Sequence, residues 1–457
     1  MYVDVLVAEI GSTTTVVNAF KDLDTPDPVF LGQGQAPTSV LEGDVNIGLN
    51  GAIESLKKNL GYGSLEYKEL MATSSAAGGL KMTVHGLVYD MTAKAAREAA
   101  LGAGANIHLV TAGRMRRSDI RKVMEIKPNI ILIAGGVDYG ESDTALSNAE
   151  VVAKLDLDVP VIYAGNIVNH DDVREIFEEN GKSHLLYIVE NVYPKIDILN
   201  VEPTRKVIQD VFEEHIVHAP GMARVREMVK GHIIPTPGAV MEASKVLKEE
   251  IGDLVTLDVG GATTDIHSVT DGSDEVNKIL LSPEPSAKRT VEGDLGVYVN
   301  MTNVVDMIGI EKLAKDLEMT EEQVQFLIEN HLPIPVTDDQ KRFVERLAQE
   351  AVIVSAHRHA GGFRDLYGSS GKKTMAEGKD LTGIKYIIGT GGALTRLPSR
   401  HRLLAAIAMS NRGDKLLPNA ECAILIDNHY IMASLGVLSK EYPEAALKLM
   451  KKSLEIE

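Results

Sequence analysis

The chain has 457 residues, 44% of them hydrophobic and 25% charged, which suits a folded protein of about three domains. A formal net charge of −18 argues against nucleic acid or an anionic membrane as the main partner, because both call for clustered Lys and Arg. No apolar run approaches the ~20 residues that span a bilayer, and the first residues lack the basic region of a signal peptide. From those two absences a soluble cytoplasmic protein is expected; separately, Cys422 is the single cysteine and cannot by itself hold an iron–sulfur cluster or a zinc ion.

In chain order, residues 5–20 read as a strand, a tight loop and a second strand, followed by a strand at 28–31. A helix is predicted over 46–60 and a short strand over 68–73. From about 90 to 215 apolar strands at 107–110, 130–133, 159–163 and 185–189 alternate with helices, the pattern of a parallel sheet covered on its faces. The glycine turns at 134–138 and 163–166 fall at the carboxyl edge of that sheet, where open α/β sheets take ligands. No G-x-G-x-x-G follows a strand here, so a dinucleotide site has no support. Tight turns account for these segments more simply than a docking surface or a small-ligand site does.

A helix predicted at 239–250 leads into a strand at 254–259, then a glycine loop and a second strand. Residues 286–296 read as a charged, glycine-broken segment in which Glu292 or Asp294 could position a water, and Lys288 or Arg289 could reach phosphate; a solvated loop is an equal reading. Two short helical pieces at 302–335 precede a long helix at 340–359, and the polar run 368–379 reads as an exposed loop. Strands at 385–388 and 422–427 and helices at 430–439 and 443–454 complete the chain. His215, His218, His357 and His359 lack metal-ligand spacing and are assigned structural roles, as are all the histidines.

Two loops share one spacing. Counted from Glu9, glycine stands at the second following residue (Gly11), Ser12 at the third, and threonine at the fifth and sixth (Thr14, Thr15). Counted from Asp258, the same places hold Gly260, Gly261, Thr263 and Thr264. Either alone is an ordinary hairpin; together they suggest two loops gripping one polyphosphate, with Glu9 and Asp258 orienting Mg²⁺ through water. A third glycine loop, Gly389, Thr390, Gly391 and Gly392, follows a strand and would admit a flat ligand face.

The sequence resembles the actin-like ATPases, whose two phosphate loops and adenosine loop occur in this order. More closely it resembles the MutL or GlmL accessory proteins encoded with glutamate mutase, unrelated to the mismatch-repair protein of that name. That likeness rests on residues 8–20, 256–265, 290–296 and 389–393. It implies an actin-like fold of two ribonuclease-H-like lobes with an inserted Rossmann-like parallel sheet: a first lobe at 1–85, the insertion at 86–218, and a second lobe at 219–457 with a helical insertion at 302–335. It also implies ATP and Mg²⁺ as cofactors, with phosphate and adenosine contacts from Gly11, Ser12, Thr13, Thr14, Gly260, Gly261, Ala262, Thr263 and Gly389 to Gly392. Glu9, Asp258, Glu292 and Asp294 are the candidates for catalysis. The function implied is reactivation of an adenosylcobalamin-dependent mutase, glutamate mutase or an aminomutase, with the mutase subunits as partners and a homodimer left open. A looser likeness to hydantoinase and oxoprolinase proteins, at 237–239 and 258–265, supplies the alternative of ATP-dependent amide hydrolysis. Activators of 2-hydroxyacyl-CoA dehydratases share a similar first loop but need cluster cysteines that this chain lacks. Glu9 stands where actin-like ATPases usually carry Asp, and Ala262 where some relatives carry Thr or Gly.

Overall fold

The computed structural model describes the chain except residues 12–13, 40–43, 76–79, 217–221, 230–232, 369–370 and 457; the side chains of 213–216, 222–224 and 368 are likewise left aside. It divides into two compact units, Met1–Glu242 with Ala433–Ala446, and Ala243–Met432 with Leu447–Glu457.

In the first unit β1 (Tyr2–Ile10) and β2 (Thr14–Lys21) form the expected hairpin, extended antiparallel by β3 (Val29–Pro37). On the other side β4 (Glu66–Ser74) runs parallel to β1. The helix Val45–Leu60 starts on Asp44, whose side chain accepts from the Asn46 amide, and stops at Gly61 in the left-handed region. It lies close against the sheet: a Cβ on Gly34 would stand 2.2 Å from Ala52 O and Leu56 N.

A second, all-parallel sheet follows, made of β5 (Leu80–Gly86), β6 (Ala105–Ala112), β7 (Ile130–Ile133), β8 (Val161–Tyr163) and β9 (Leu186–Ile188), in the order β6-β5-β7-β8-β9. Apolar residues fill both faces, as helix-covered parallel strands require. Beyond this insertion β10 (Ile233–Pro235) returns to pair parallel with β4 and completes the first sheet, in the order β10-β4-β1-β2-β3. The sequence reading closed the first lobe at residue 85 and placed β10 in the second; pairing with β4 puts it in the first unit instead.

The second unit repeats this plan with β11 (Leu254–Val259), β12 (Thr264–Val269), β13 (Ala287–Glu292), β16 (Tyr386–Thr390) and β17 (Ala423–Ile426), ordered β13-β12-β11-β16-β17. β12 runs antiparallel to both β11 and β13, while β16 and β17 run parallel to β11. The charged segment at 286–296 therefore opens as a strand. Between β13 and β16 come three helices rather than two short ones, Met301–Ile308, Ile310–Leu317 and Glu321–Glu329, then the long helix Asp338–His359. The polar run predicted as a loop is an exposed hairpin of β14 (Gly362–Gly368) and β15 (Gly371–Glu377). Among the described residues no helix is long and apolar enough to cross a membrane.

Candidate phosphate loops and their carboxylates

The two hairpins share their register and one closing hydrogen bond. In the first, Glu9 is the cross-strand partner of Val16, seven residues on, and Gly11 N donates to Thr14 O at 3.1 Å. In the second, Asp258 pairs with Asp265, again seven on, and Gly260 N donates to Thr263 O at 2.9 Å. One side chain cannot be accommodated at the first glycine, where a Cβ would meet Thr14 O at 2.7 Å. Ser12 and Thr13 lie outside the described residues.

In the second loop the carbonyls and the amides are differently engaged. Its carbonyls are all engaged: Gly260 O accepts from Val297 N, Gly261 O from Tyr298 N and Val299 N, Ala262 O from Asn300 Nδ2, and Thr263 O from Gly260 N. Its amides at Gly261, Ala262 and Thr263 make no hydrogen bond among the described residues. Gly261 is exposed, and Ala262 and Thr263 are half-buried. Three unspent N–H donors in succession, with their carbonyl ends turned away and fixed, form a concavity suited to phosphate oxygen. Gly296 makes the fixing segment fit, because a Cβ there would overlap Ala262 and Gly261 at about 2.5 Å.

Behind this loop lies a dense group of carboxylates. Asp258 is half-buried, and burial together with the neighbouring Asp265 and Asp427 pushes its carboxyl up to about 7, while Arg289 pulls the other way. Arg289, 1% exposed, donates Nε and one terminal nitrogen to Asp265 Oδ1 at 2.9 and 2.5 Å, and Thr263 Oγ1 donates to the other oxygen at 3.1 Å. Asp427 accepts from the Ile431 and Met432 amides, both at 2.9 Å, at the start of helix Met432–Leu438, and from Thr390 Oγ1 at 2.9 Å. Mg²⁺ fits such a place, since a cation relieves the mutual repulsion of Asp258 and its neighbours and needs only one or two carboxylates plus phosphate oxygens. Among the described residues no group of three His, Cys, Asp or Glu gathers as an all-protein metal cage.

The third loop closes on the same carboxylate. Gly391 has φ +85°, and a Cβ there would stand 2.3 Å from Asp258 Oδ1 and 2.7 Å from Val259 O. Gly392 faces open space, whereas Gly389 is packed beneath Leu404. Gly391→Ala is expected to cost about 2–4 kcal/mol through backbone strain and overlap. Urea unfolding checks this, with Gly392→Ala as a near-neutral companion.

In the first unit Glu9 is buried, and its Oε1 accepts from Ser434 Oγ at 2.6 Å, Ser434 N at 3.2 Å and Asn18 Nδ2 at 3.3 Å. Gly436, two residues on, lets the helix Met432–Leu438 press on Thr236–Ile251, where a Cβ would lie 1.9 Å from Ala239 O.

The remaining candidates are spoken for within the second unit. Arg358 donates to Glu292 at 2.7 Å and to both oxygens of Asp294 at 2.7 and 2.9 Å. That guanidinium holds Asp294 below its ordinary range, while burial pushes Glu292 up. Lys288 is buried on Glu284 and Arg289 on Asp265, so the sequence reading of both as cations reaching for phosphate meets two side chains already paired inward. His359 bridges Thr290 and Ser268, and Cys422 Sγ donates to Ile384 O. The side chains of His215 and His218 are outside the description. Sequence reasoning passed over Asp265 and Asp427 as site residues; the signal for Asp427 was a third apolar strand ending in a carboxylate.

Two sheets of order 3-2-1-4-5, each with its hairpin loop opening on a strand-end carboxylate, define the actin-like ATPase fold. A family model described as "MutL protein" matches residues 5–454, and "Protein MutL" of Clostridium tetanomorphum is 36% identical over 462 residues, covering 98% of each chain. The chain belongs to the MutL protein family. Among solved structures it is similar to a nucleotide-free acetone carboxylase, with 12% identity, TM-score 0.40, and 96% of this chain and 70% of that one covered. It is also similar to a diol dehydratase-reactivating factor in nucleotide-free form, with 9% identity, TM-score 0.38, and 96% and 99% coverage.

Proposed function

We propose that this protein is an ATP-dependent reactivating or assembly factor for an adenosylcobalamin-dependent mutase, glutamate mutase or an aminomutase. The observation that carries nucleotide binding is the second loop, where three amides without a partner among the described residues stand beside the strand-end carboxylate Asp258. Membership of the MutL family supports the role in service of a mutase. Glu9, Gly11, Ser12, Thr13 and Thr14 are proposed as the matching phosphate loop, and Gly389 to Gly392 as the adenosine loop. Asp258 and Glu9 would hold Mg²⁺, which supplies charge neutralisation across the phosphates. The protein's own part in phosphoryl transfer is positioning and electrostatic stabilisation by fixed amides. ATP can then drive change in a partner only if ATP and ADP favour different conformations.

Calorimetry with Mg²⁺-ATP tests the site, and steady-state hydrolysis with and without purified glutamate mutase tests the role. Binding together with mutase-dependent stimulation is expected. Stimulation by a hydantoin or 5-oxoproline, with no response to the mutase, would instead favour ATP-dependent amide hydrolysis.

A further inference from the structure

The inserted sheet carries a feature that nucleotide binding does not use. Every exposed large apolar side chain between Leu80 and Asn200 lies in a connection leaving the carboxyl end of a strand, and the described amino-end connections have none. Strand order sets these side chains in a row: Tyr89 after β5, Tyr139 after β7, Ile167 after β8 and Ile196 after β9. With neighbouring strands about 4.8 Å apart, the row is about 14 Å long.

Tyr139, on the central strand's loop, is the least explicable as a packing residue. It is 84% exposed and has φ +61°, at the third place of a turn closed by Gly140 N on Val137 O at 2.9 Å. Glycine or asparagine takes that place at little cost; a bulky ring there is strained. The loops beneath are laced together. Asn166 Oδ1 accepts from Tyr139 N at 3.1 Å, and Asp138 Oδ1 accepts from Ile167 N at 3.1 Å and from Asn191 Nδ2 at 2.9 Å. The strained aromatic is thus held out on a rigid platform, as a preorganised contact residue is.

The row is also polar along its length. At its β6 end Arg114, Arg116 and Arg117 are exposed and form no salt bridge among the described residues, in a chain of net charge −18. Towards the β9 end stand exposed Glu190 and Asp197, with Lys195 between them, and Asp172 in the first turn of the helix after β8, where Asp171 is paired with Arg174. Turned end for end about its central strand, such a row is its own complement: basic meets acidic at both ends and Tyr139 meets Tyr139 in the middle. That is the requirement of a two-fold, isologous contact.

We infer that the carboxyl edge of the inserted sheet binds the same edge of a second copy of this chain, with Tyr139 near the dyad. The reading is independent of nucleotide. Sedimentation equilibrium of the full chain across protein and salt concentration tests it. A dimer weakened by salt is expected, and Tyr139→Asp is expected to raise its Kd about 30-fold or more, the effect of losing a central aromatic anchor. Two charge variants provide the decisive comparison, both checked for an unchanged thermal melt. One carries Arg114→Glu, Arg116→Glu and Arg117→Glu; the other carries Glu190→Arg and Asp197→Arg. Each alone should be monomeric, and an equimolar mixture should form a dimer at least as tight as the unaltered chain's. A monomeric unaltered chain overturns the inference, even if the edge captures the mutase or a lipid vesicle. Dimers that persist in both variants alone, or a mixture that stays monomeric, overturn it equally.

Discussion

Arg289→Ala is expected to destabilise the second unit by about 3–5 kcal/mol, the usual cost of leaving one member of a buried ion pair without its partner. Asp265 would remain at 6% exposure with only Thr263 Oγ1 to replace two charged donors. Denaturant titration followed by far-UV circular dichroism measures the loss. The double variant Arg289→Met with Asp265→Leu should recover much of it, because an apolar pair of similar volume carries no desolvation penalty. A second readout separates this local effect from general damage. Arg289 holds the Asp258 carboxyl down, so its removal should weaken Mg²⁺-ATP binding most at and just above neutral pH, where Asp258 is ionised in the unaltered chain and still protonated in the variant. An Arg289→Ala protein as stable as the unaltered chain would mean that the guanidinium contributes no net stability there.

Asp258→Asn is expected to move function and stability in opposite directions. Removing the carboxylate proposed to orient Mg²⁺ should slow hydrolysis by about 100-fold or more, the scale seen when one preorganised electrostatic group is lost. Stability should rise near pH 8. In the folded protein burial and the neighbouring Asp265 push the Asp258 carboxyl from an ordinary 3.8 up to about 7, so the folded state binds the proton more tightly. Its contribution is full below the unfolded value and is lost as pH rises through about 7, leaving a charged group held among carboxylates at pH 8. A shift of that size corresponds to about 4 kcal/mol at most. Partial exposure of Asp258 reduces the expected gain to about 1–2 kcal/mol. Melting temperatures of both proteins from pH 5 to 8 test the sign: the unaltered chain should lose stability across the range relative to the variant. Parallel profiles would show that Asp258 is not electrostatically frustrated.

The repeated loops were legible because turn chemistry is local. A carboxylate, a glycine two on and threonines five and six on mark the same hairpin twice, and both copies show the same register and the same glycine-to-threonine hydrogen bond. Long strands and periodic helices were legible for the same reason, and the final helix, Pro443–Leu454, has the bounds its spacing predicts. What escaped were elements whose identity depends on a distant partner. β10 has three residues and is a strand only because β4 lies beside it. β13 reads as charged loop because Lys288 and Arg289 point inward to Glu284 and Asp265, which no periodicity can announce. β14 and β15 are exposed along most of their length, so no buried face marks them as strands.

By itself the sequence determined the fold class, the two loop positions and the family, since each rests on short-range spacing of glycine, hydroxyl and carboxylate residues. Only the tertiary structure decided which charges are available: Arg289, Lys288, Glu292 and Asp294 are engaged inward or with Arg358, while Asp258 is left among like charges and three amides have no partner among the described residues. Pairing of a charge is a through-space property with a steep dependence on distance and burial, and residues far apart in the chain settle it.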